Sequence, residues 1–569
     1  MNSIDQHLLI QNRMKTLIIR ISTFLVFPLL WQSCKPDSYL DRVPLSAISE
    51  PTFFKNENDL QLYANQFYPS LPIQSFMQDN QSDDKVPNSI NTFLAGQYVV
   101  PTTDADYDWS NIRNVNYFLH HYQNAEASQE IKDQYAGEVR FFRALFYWTL
   151  SKRYGDVPWY SEDLNDQSDE LYAPRTPRET VMDSVLTDLD FAVDHIPADV
   201  SDGRINKFAA SALKARICLW EGTRRKYFNV DGSEKYLREA VAAAQLIMDS
   251  GKYSLYSTGD TENDYYNLFI QQELSGNPEA ILPMRYLQSI LMNNSDRQLG
   301  ESGTGYSKNF VQSYLCTDGL PTALSDRYKG DDTPENEFAN RDPRARQTIA
   351  TKGFVFFLNS DGSQDIINLP RIGTNAANTG YQLVKGRSSD PNMWTANQST
   401  LDFFIFRYAE TLLIYAEAKA ELGEATQTDI NISINLLRDR VGMPHMEINK
   451  LQQDPNADFP DVPVLINEIR RERRVELADE GFRFDDLLRW KAGKQIEKPE
   501  TILGMKLTPE LRAKYPASQV NGVVVNKNNY IRIYTNIEHR TWNDKMYLFP
   551  IPLQELSLNT NLTQNPGWE

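Results

Sequence analysis

The chain has 569 residues, 41% hydrophobic and 24% charged, so it can bury a large core as one big domain or several ordinary ones. Its net charge of -18 and pI near 5.0 disfavour nucleic acid and anionic lipid surfaces, because binding polyanions requires an excess of Lys and Arg. Three cysteines are too few for a disulfide framework, and no CxxC pair is present for zinc or redox chemistry. We therefore expect a globular protein stabilised by packing, with no nucleic-acid partner.

Residues 1–33 have the pattern of a secretory signal. Basic residues precede an apolar run, Ile21–Trp31, that is too short to span a membrane. The run ends just before Ser33 and Cys34, which resembles the cleavage and lipidation site of a bacterial lipoprotein signal. We expect Cys34 to carry a lipid anchor; a plain secretory signal with an incidental cysteine stays open. Translation can begin at either Met1 or Met14, and the sequence leaves both open.

The stretch Glu138–Trp159 predicts a helix buried on all sides. Ala144–Trp148 is apolar without a break. Because the helix is too short for a bilayer, it must be surrounded by other helices. Gly155 and Pro158 mark its end.

Four further segments predict helices that surround it. The first opens with the sequence pattern of a capping box at Thr176–Glu179, and 207–222, 238–251 and 407–423 follow. The last three end in glycine and carry closely spaced alanines, which let helix axes approach closely, as in stacked helical hairpins. The pattern predicts a mainly α fold: a tetratricopeptide-like helical superhelix. About 150 residues separate the third alanine-rich segment from the one before it, which indicates a long insertion, 252–406.

We expect residues 34–569 to form a single domain, with scaffold helices in about 51–251 and 407–490. The insertion, about 252–406, mixes strand-like runs with irregular loops and is the expected binding region, because loops on rigid scaffolds commonly carry function. Two charge-rich helical segments, 417–424 and 468–480, are predicted to be solvated faces with i,i+4 pairs and a few scaffold salt bridges.

Six strings, in chain order, carry a resemblance to a known family: FFRALFYWTLSKRYGDVPW, GRINKFAASALKARICLW, RYAETLLIYAEAKAELG, ERRVELADEGFRFDDLLRW, YLFPIPLQEL and NLTQNPGW. The mature chain resembles the SusD/RagB family of outer-membrane lipoproteins over essentially its whole length. The resemblance implies a mostly helical fold with four tetratricopeptide-like units and a lipid anchor in the outer membrane, with the protein facing the cell exterior. It also implies capture of glycans, or sometimes peptides, above a SusC-like TonB-dependent transporter.

Signs of catalysis are weak, so we expect a binding protein with no catalytic residues, metal site or cofactor. The six histidines lack metal-ligand spacing, and the glycine-rich stretch Gly300–Gly305 fits no phosphate loop and is predicted to be an ordinary loop. The alternation of Asp104, Asp106 and Asp108 leaves a structural calcium open, although Trp109 stands where an EF-hand needs glycine. A glycoside hydrolase with paired carboxylates is the alternative function, as is a peptide-binding member of the family.

Sugars present apolar C–H faces ringed by hydroxyl groups, so their sites need exposed aromatic platforms with amide or carboxylate groups at the edge. Trp394 fits best, because it is a lone tryptophan in a polar loop with no helical or strand period. The weaker candidate platforms are Tyr286, Tyr306, Tyr98 and Phe76, and the candidate edge groups are Asp83 and Asp84.

Overall fold

The structure is a computed structural model that describes residues 53–72, 78–201, 203–373 and 376–569. The predictions of a signal peptide, of lipidation at Cys34 and of a platform at Phe76 lie outside these residues. Across the described ranges, no helix is both long and apolar enough to cross a membrane.

Helices form most of the regular structure. They are α1 (Glu57–Asn65), α2 (Ser110–His121), α3 (Gln129–Tyr154), α4 (Arg178–His195), α5 (Lys207–Phe228), α6 (Ser233–Asp249), α7 (Asp264–Leu268), α8 (Ser295–Glu301), α9 (Lys308–Ser313), α10 (Pro334–Phe338), α11 (Arg344–Thr348), α12 (Pro391–Trp394), α13 (Tyr408–Glu421), α14 (Gln427–Asn431), α15 (Ile434–Arg440), α16 (Val464–Glu476), α17 (Arg483–Arg489), α18 (Pro509–Arg512), α19 (Ala517–Val520) and α20 (Leu553–Leu558).

The strands are short and pair antiparallel in twos. They are β1 (Lys85–Val86) with β3 (Gly305–Tyr306), β2 (Ala280–Met284) with β6 (Phe403–Arg407), β4 (Val355–Leu358) with β5 (Gln364–Ile366), and β7 (Leu503–Lys506) with β8 (Tyr530–Arg532). The predicted mainly α class is confirmed.

Helix α3 is the buried helix expected from the sequence. It begins after Ser128, whose side chain accepts a hydrogen bond from the Ile131 N–H, and it ends at Gly155, where φ is 78°. Only glycine adopts such a φ without strain, so the chain turns there. Helices α1, α2, α4 and α5 pack around α3, and its central residues are buried except for half-buried Phe146.

The start of α4 differs from the sequence prediction. No capping box forms, because the Thr176 hydroxyl accepts a hydrogen bond from the Trp159 N–H (3.2 Å). The first N–H of the helix, on Arg178, instead donates to the Asp156 carboxylate (2.9 Å). Thr176 therefore holds the segment around Trp159 by a hydrogen bond and does not cap α4.

The helical hairpins stack as the alanine-rich segments predict. Helices α5 and α6 pack against each other, and Asn229 between them adopts the left-handed conformation that reverses the chain. Helix α13 lies against α5, α6 and α16, although the long insertion separates it from α6 in sequence. The superhelix therefore continues across the insertion.

A second hydrophobic cluster lies beside the helical core. It combines Phe310 and Leu383 of the predicted insertion with Val475 of α16 and with Met505 and Ile531 of the β7–β8 sheet. The insertion therefore packs on the scaffold and on residues beyond 490, which the sequence analysis did not assign.

Much of both charge-rich segments is buried, so the prediction of solvated faces is wrong, although the predicted scaffold salt bridges are present. In α13, Glu417 is 0% exposed and pairs with Arg489 (2.5 Å). In α16, Glu476 is also 0% exposed and pairs with Arg407 (2.8 Å) and Arg440 (2.6 Å). Their arginine partners come from other elements, and sequence spacing within one helix could not reveal them.

Candidate functional site

Trp394 ends the single-turn helix α12, and local hydrogen bonds set its direction. The Asp390 side chain accepts from the Asn392 N–H (2.9 Å), which caps the turn. Met393 points inward, where its sulfur accepts a hydrogen bond from the Thr400 N–H (3.4 Å). Trp394 is thereby left half-buried at the surface.

Three elements support the Trp394 ring. Helix α8 approaches so closely that a Cβ added to Gly300 would lie 2.0 Å from ring atom Cη2. Phe356 and Phe357 of β4 meet the ring edge to face, with centroids 6.1 and 6.0 Å away. The Arg387 guanidinium lies 4.6 Å from the ring centroid. Contacts on several sides hold the ring in one orientation, as a stacking platform requires.

Buried charges lie beneath this platform. Burial raises the pKa of the Asp296 carboxyl to about 6, although the Arg387 charge opposes the rise. Burial also lowers the pKa of Arg387 to about 10, although Asp296 opposes the fall. Asp296 Oδ1 accepts a hydrogen bond from the Ser388 N–H (2.5 Å), whereas Oδ2 has no hydrogen-bond partner among the described residues. The Trp394 ring is therefore supported by two buried charged residues, Asp296 and Arg387, as well as by aromatic rings.

Exposed amide side chains neighbour the platform in sequence. Asn392, Asn397 and Gln398 are all exposed, and the Asn397 N–H donates to the Asn294 side chain (3.0 Å), which ties the loop to the start of α8. An aromatic face with exposed amides on the same loop provides apolar contact together with hydrogen-bond donors and acceptors. This combination suits a saccharide.

Tyr286 lies in the same region but is only 7% exposed. Its N–H donates to the Asp402 carboxylate (2.7 Å), and its ring meets Phe403 edge to face at 5.3 Å. The Asn293 N–H donates to the Ser399 carbonyl (2.9 Å), which links the segment after Tyr286 to the Trp394 loop. Tyr286 therefore contributes mainly to packing.

An apolar turn follows Tyr286. Leu287, Ile290 and Leu291 are 47%, 79% and 44% exposed, and reciprocal backbone hydrogen bonds between the two leucines close the turn. We name residues 287–291 the apolar turn. Clustered exposed aliphatic side chains of this kind mark interaction surfaces.

Tyr306, Asp83 and Asp84 lack the exposure that the sequence analysis expected. Tyr306 is 0% exposed, and Asp83 and Asp84 are 0% and 1% exposed. The two carboxylates pair with Arg483 (2.7 Å) and Arg474 (2.7 Å), respectively. These residues come together where β1 pairs with β3, and they serve as a buried anchor between distant parts of the chain.

Tyr98 belongs to another cluster. Its ring lies 5.5 Å from Phe93, 5.9 Å from Phe549 and 5.9 Å from Trp568, all by edge-to-face contact. It therefore packs against the C-terminal residues, and these contacts do not join it to the Trp394 platform.

The carboxylates of Asp104 and Asp106, two of the three candidate calcium ligands, pair with the side chain of Arg153. Arg153 Nη2 lies 3.0 Å from Asp104 and 3.1 Å from Asp106, and Asp108 accepts a hydrogen bond from the Ser110 hydroxyl (2.6 Å). Over the ranges that the structure describes, no group of three or more His, Cys, Asp or Glu side chains could hold a metal ion. The structural calcium stays a prediction.

Sequence reasoning missed two residues that shape the site. Gly300 was assigned to a loop, but it lies in α8, where its missing side chain makes room for Trp394. Arg387 is fully buried beneath the rings, in a segment that has no helical or strand period. The sequence feature that could have pointed to Gly300 is a glycine among polar residues. No sequence feature points to the role of Arg387.

Comparison with known proteins gives consistent matches. The model of the SusD family matches residues 250–568, and a model described as "Starch-binding associating with outer membrane" matches residues 38–219. SusD-like protein P2 of Formosa agariphila is 23% identical, covering 96% of this chain and 99% of the relative. The starch-binding protein SusD of Bacteroides thetaiotaomicron is 24% identical, covering 81% and 77%. The crystal structure of a SusD-like carbohydrate-binding protein from Bacteroides fragilis shares the fold, with TM-score 0.68, 23% identity and coverage of 90% and 100%.

Proposed function

Because the chain belongs to the SusD family, we propose that it captures oligosaccharides or polysaccharides at the cell surface and delivers them to a SusC-like TonB-dependent transporter. Two of the matched proteins carry starch or carbohydrate binding in their names, which supports glycan binding by this chain. Delivery, surface orientation and the lipid anchor at Cys34 are the specific parts of the proposal.

The half-buried Trp394 ring is the observation that carries the proposal of a glycan site. The ring is supported by Gly300 and Arg387, and it lies in a loop rich in exposed amides. Stacking of a pyranose on such a ring removes apolar surface from water without ordering a flexible side chain, so binding has a low entropic cost.

We expect the protein to bind glycans without hydrolysing them. A glycosidase needs two carboxyl groups that flank the scissile bond and reach the substrate. The acidic residues of α13 and α16, such as Glu417 and Glu476, are instead buried in arginine pairs. A peptide ligand is the second candidate.

A retention experiment tests the binding proposal. Purified protein is run through native gels that contain starch, laminarin, xylan, galactomannan or pectin, with bovine serum albumin as the reference. We expect slower migration with at least one polysaccharide, and an unchanged size distribution of that polysaccharide after incubation with the protein. Unretarded migration in every gel contradicts glycan capture, and shortened products support the hydrolase instead.

Membrane fractionation tests delivery. We expect the native protein to co-purify from outer membranes in mild detergent with a TonB-dependent barrel, and Cys34→Ala to move it to the soluble fraction, because one lipid-bearing cysteine is the expected anchor. The apolar turn is linked to the Trp394 loop through the Asn293–Ser399 hydrogen bond. Its exposed aliphatic side chains support contact with the barrel, so Ile290→Ser should reduce barrel recovery. Leu558→Ser, which changes an aliphatic residue that is 63% exposed on α20, is the control.

Two results contradict this part of the proposal. Recovery of abundant protein without any barrel excludes stable delivery by a transporter complex. Retention of Cys34→Ala in the membrane fraction excludes the lipid anchor as the membrane attachment.

A further inference from the structure

A cavity of about 450 Å³ lies between the start of α2, the segment 158–171 and the C-terminal segment 555–562. Pockets that hold small ligands are typically about 300 to 1,000 Å³. No residue of the Trp394 platform or the apolar turn lines this cavity. We name it the α2 cleft.

Three aromatic rings form one wall of the α2 cleft. Trp109 meets Tyr107 edge to face at 5.6 Å and Tyr160 at 5.2 Å. Tyr160 is fixed in place, because its hydroxyl donates to the Leu171 carbonyl (3.2 Å) and its own carbonyl accepts from the Asn116 side chain (2.8 Å). The wall is therefore preformed, which lowers the entropic cost of binding a ligand.

Two polar groups on the lining are left without partners. The Tyr107 side chain is 7% exposed, and its hydroxyl makes no hydrogen bond to any described residue. The half-buried Glu555 carboxylate, which water can reach, forms no ion pair or side-chain hydrogen bond in the part of the chain that the structure describes. Buried polar groups are nearly always paired, so an unpaired hydroxyl on a cavity wall points to a ligand that pairs with it.

These two groups line the same cavity and interact electrostatically. Burial raises the pKa of the Tyr107 hydroxyl, the Arg175 charge opposes the rise, and the Glu555 charge adds to it. Burial also raises the pKa of the Glu555 carboxyl. A ligand that donates a hydrogen bond to Glu555 and exchanges one with Tyr107 would satisfy both groups at once.

Side-chain-to-backbone hydrogen bonds join distant segments next to the cleft. The Asn559 side chain donates to the Ala173 carbonyl (3.0 Å), and the Asn561 side chain donates to the Tyr172 carbonyl (2.8 Å). These bonds tie the C-terminal segment to the segment before α4. Arg113 stands exposed on the lining without an ion pair among the described residues, and it offers further hydrogen-bond donors.

We propose that the α2 cleft is a second saccharide-binding site, separate from the Trp394 platform. The apolar face of a sugar ring packs on the wall of Tyr107, Trp109 and Tyr160, and its hydroxyl groups pair with Glu555 and with the Tyr107 hydroxyl. The ligand class rests on the proposed function, whereas the existence of a site rests on the cavity and its unpaired groups. A long glycan that engages both sites would gain avidity without new contacts.

Titration calorimetry on the full chain tests the proposal. The probes are maltoheptaose, laminarihexaose, xylohexaose and mannohexaose, each titrated into Trp394→Ala so that the cleft is measured alone. We expect one probe to bind, and we expect Tyr107→Phe and Glu555→Gln, each added to Trp394→Ala, to weaken that binding by about three- to tenfold through loss of one hydrogen bond. Tyr415→Phe removes a hydroxyl that is paired with Asp429, and it is the matched control that should leave affinity unchanged.

Stability separates a binding role from a structural one. Tyr107→Phe keeps the ring and deletes an unpaired buried hydroxyl, so its melting temperature should equal or exceed that of the parent. A lowered melting temperature with unchanged affinity shows a structural hydroxyl and overturns the proposal.

The remaining outcomes distinguish the two sites. Binding that Trp394→Ala abolishes completely overturns the α2 cleft and leaves the proposed function intact. Binding that keeps the wild-type stoichiometry and affinity in Trp394→Ala and is insensitive to Tyr107→Phe and Glu555→Gln overturns both sites. No binding of any probe to the wild-type protein overturns the second saccharide site, as does binding of a tryptic peptide mixture alone; polysaccharide retention then decides whether the proposed function stands.

Discussion

At the residue scale, the orientation of Trp394 depends on the absence of a side chain at Gly300. An added Cβ would lie 2.0 Å from Cη2 and 2.2 Å from Cζ3 of the indole, much closer than van der Waals contact. Gly300 lies in α8, where alanine would otherwise be favoured by about 1 kcal/mol over glycine. The glycine therefore has a packing role that outweighs its helix propensity.

Gly300→Ala should lower the free energy of unfolding by about 1 to 3 kcal/mol, because the methyl group overpacks the contact with the ring. Denaturant unfolding measures this change, and glycan affinity should fall as the platform is displaced. Trp394→Phe in the same chain is the rescue control, since its smaller ring leaves room for the methyl group. A stability gain from Gly300→Ala alone would contradict the packing described here.

Local sequence patterns predict which side chains are exposed only where distant segments do not pack on them. Trp394 could be found because its loop has no period that would bury it. Tyr306 and Asp84 also come from segments without a clear period, but β1 and β3 bring them together and bury them. Asp84 pairs with Arg474, which lies 390 residues away, and no local pattern reports such a partner.

At the scale of elements, α16 joins the helical core to the second cluster through buried charges. Burial alone would raise the pKa of the Glu476 carboxyl, but Arg440, Arg407 and Arg344 together hold it well below its usual range. Each arginine comes from a different element: α15, β6 and α11. The charge network therefore fixes how these elements meet, whereas an amphipathic pattern predicts only which face is polar.

Glu476→Gln should lower the free energy of unfolding at pH 7 by about 3 to 5 kcal/mol, because it leaves buried guanidinium groups without their carboxylate. A lowered native pKa stabilises the fold above the unfolded pKa of about 4.3, and this contribution is lost as the pH falls towards the native pKa. The difference between variant and wild type should therefore shrink below about pH 4. Denaturant unfolding at pH 7 and pH 3.5 measures both quantities.

Glu234→Gln is the matched control for this prediction. Glu234 also pairs with an arginine, Arg238, but its side chain is 70% exposed. Its removal should change stability by less than about 1 kcal/mol, as for other surface pairs. Equal effects of the two substitutions would contradict a structural role for the buried network.

At the scale of the whole molecule, the helical superhelix acts as a rigid support for loops that carry the platform. The alanine-rich hairpins made this scaffold predictable, because close helix packing depends on local composition. The second cluster was not predictable in the same way, since it combines segments from Tyr265 to Ile531 that lack any repeat. The Trp394 ring packs on another small cluster, which contains Phe356 and Val384 and also lacks any repeat.

Glycan affinity of Trp394→Ala tests the proposed platform most directly. Calorimetry with an oligosaccharide of the polysaccharide that retards the wild-type protein should show a loss of about 1 to 3 kcal/mol, the usual cost of truncating a central aromatic contact. Phe191→Ala, which removes another half-buried ring on α4, should leave the affinity unchanged, and both variants should keep wild-type helicity. If a folded Trp394→Ala keeps the wild-type number of binding sites and an affinity within about twofold of the wild type, a difference of less than about 0.5 kcal/mol, Trp394 is not the platform and the proposed site is wrong.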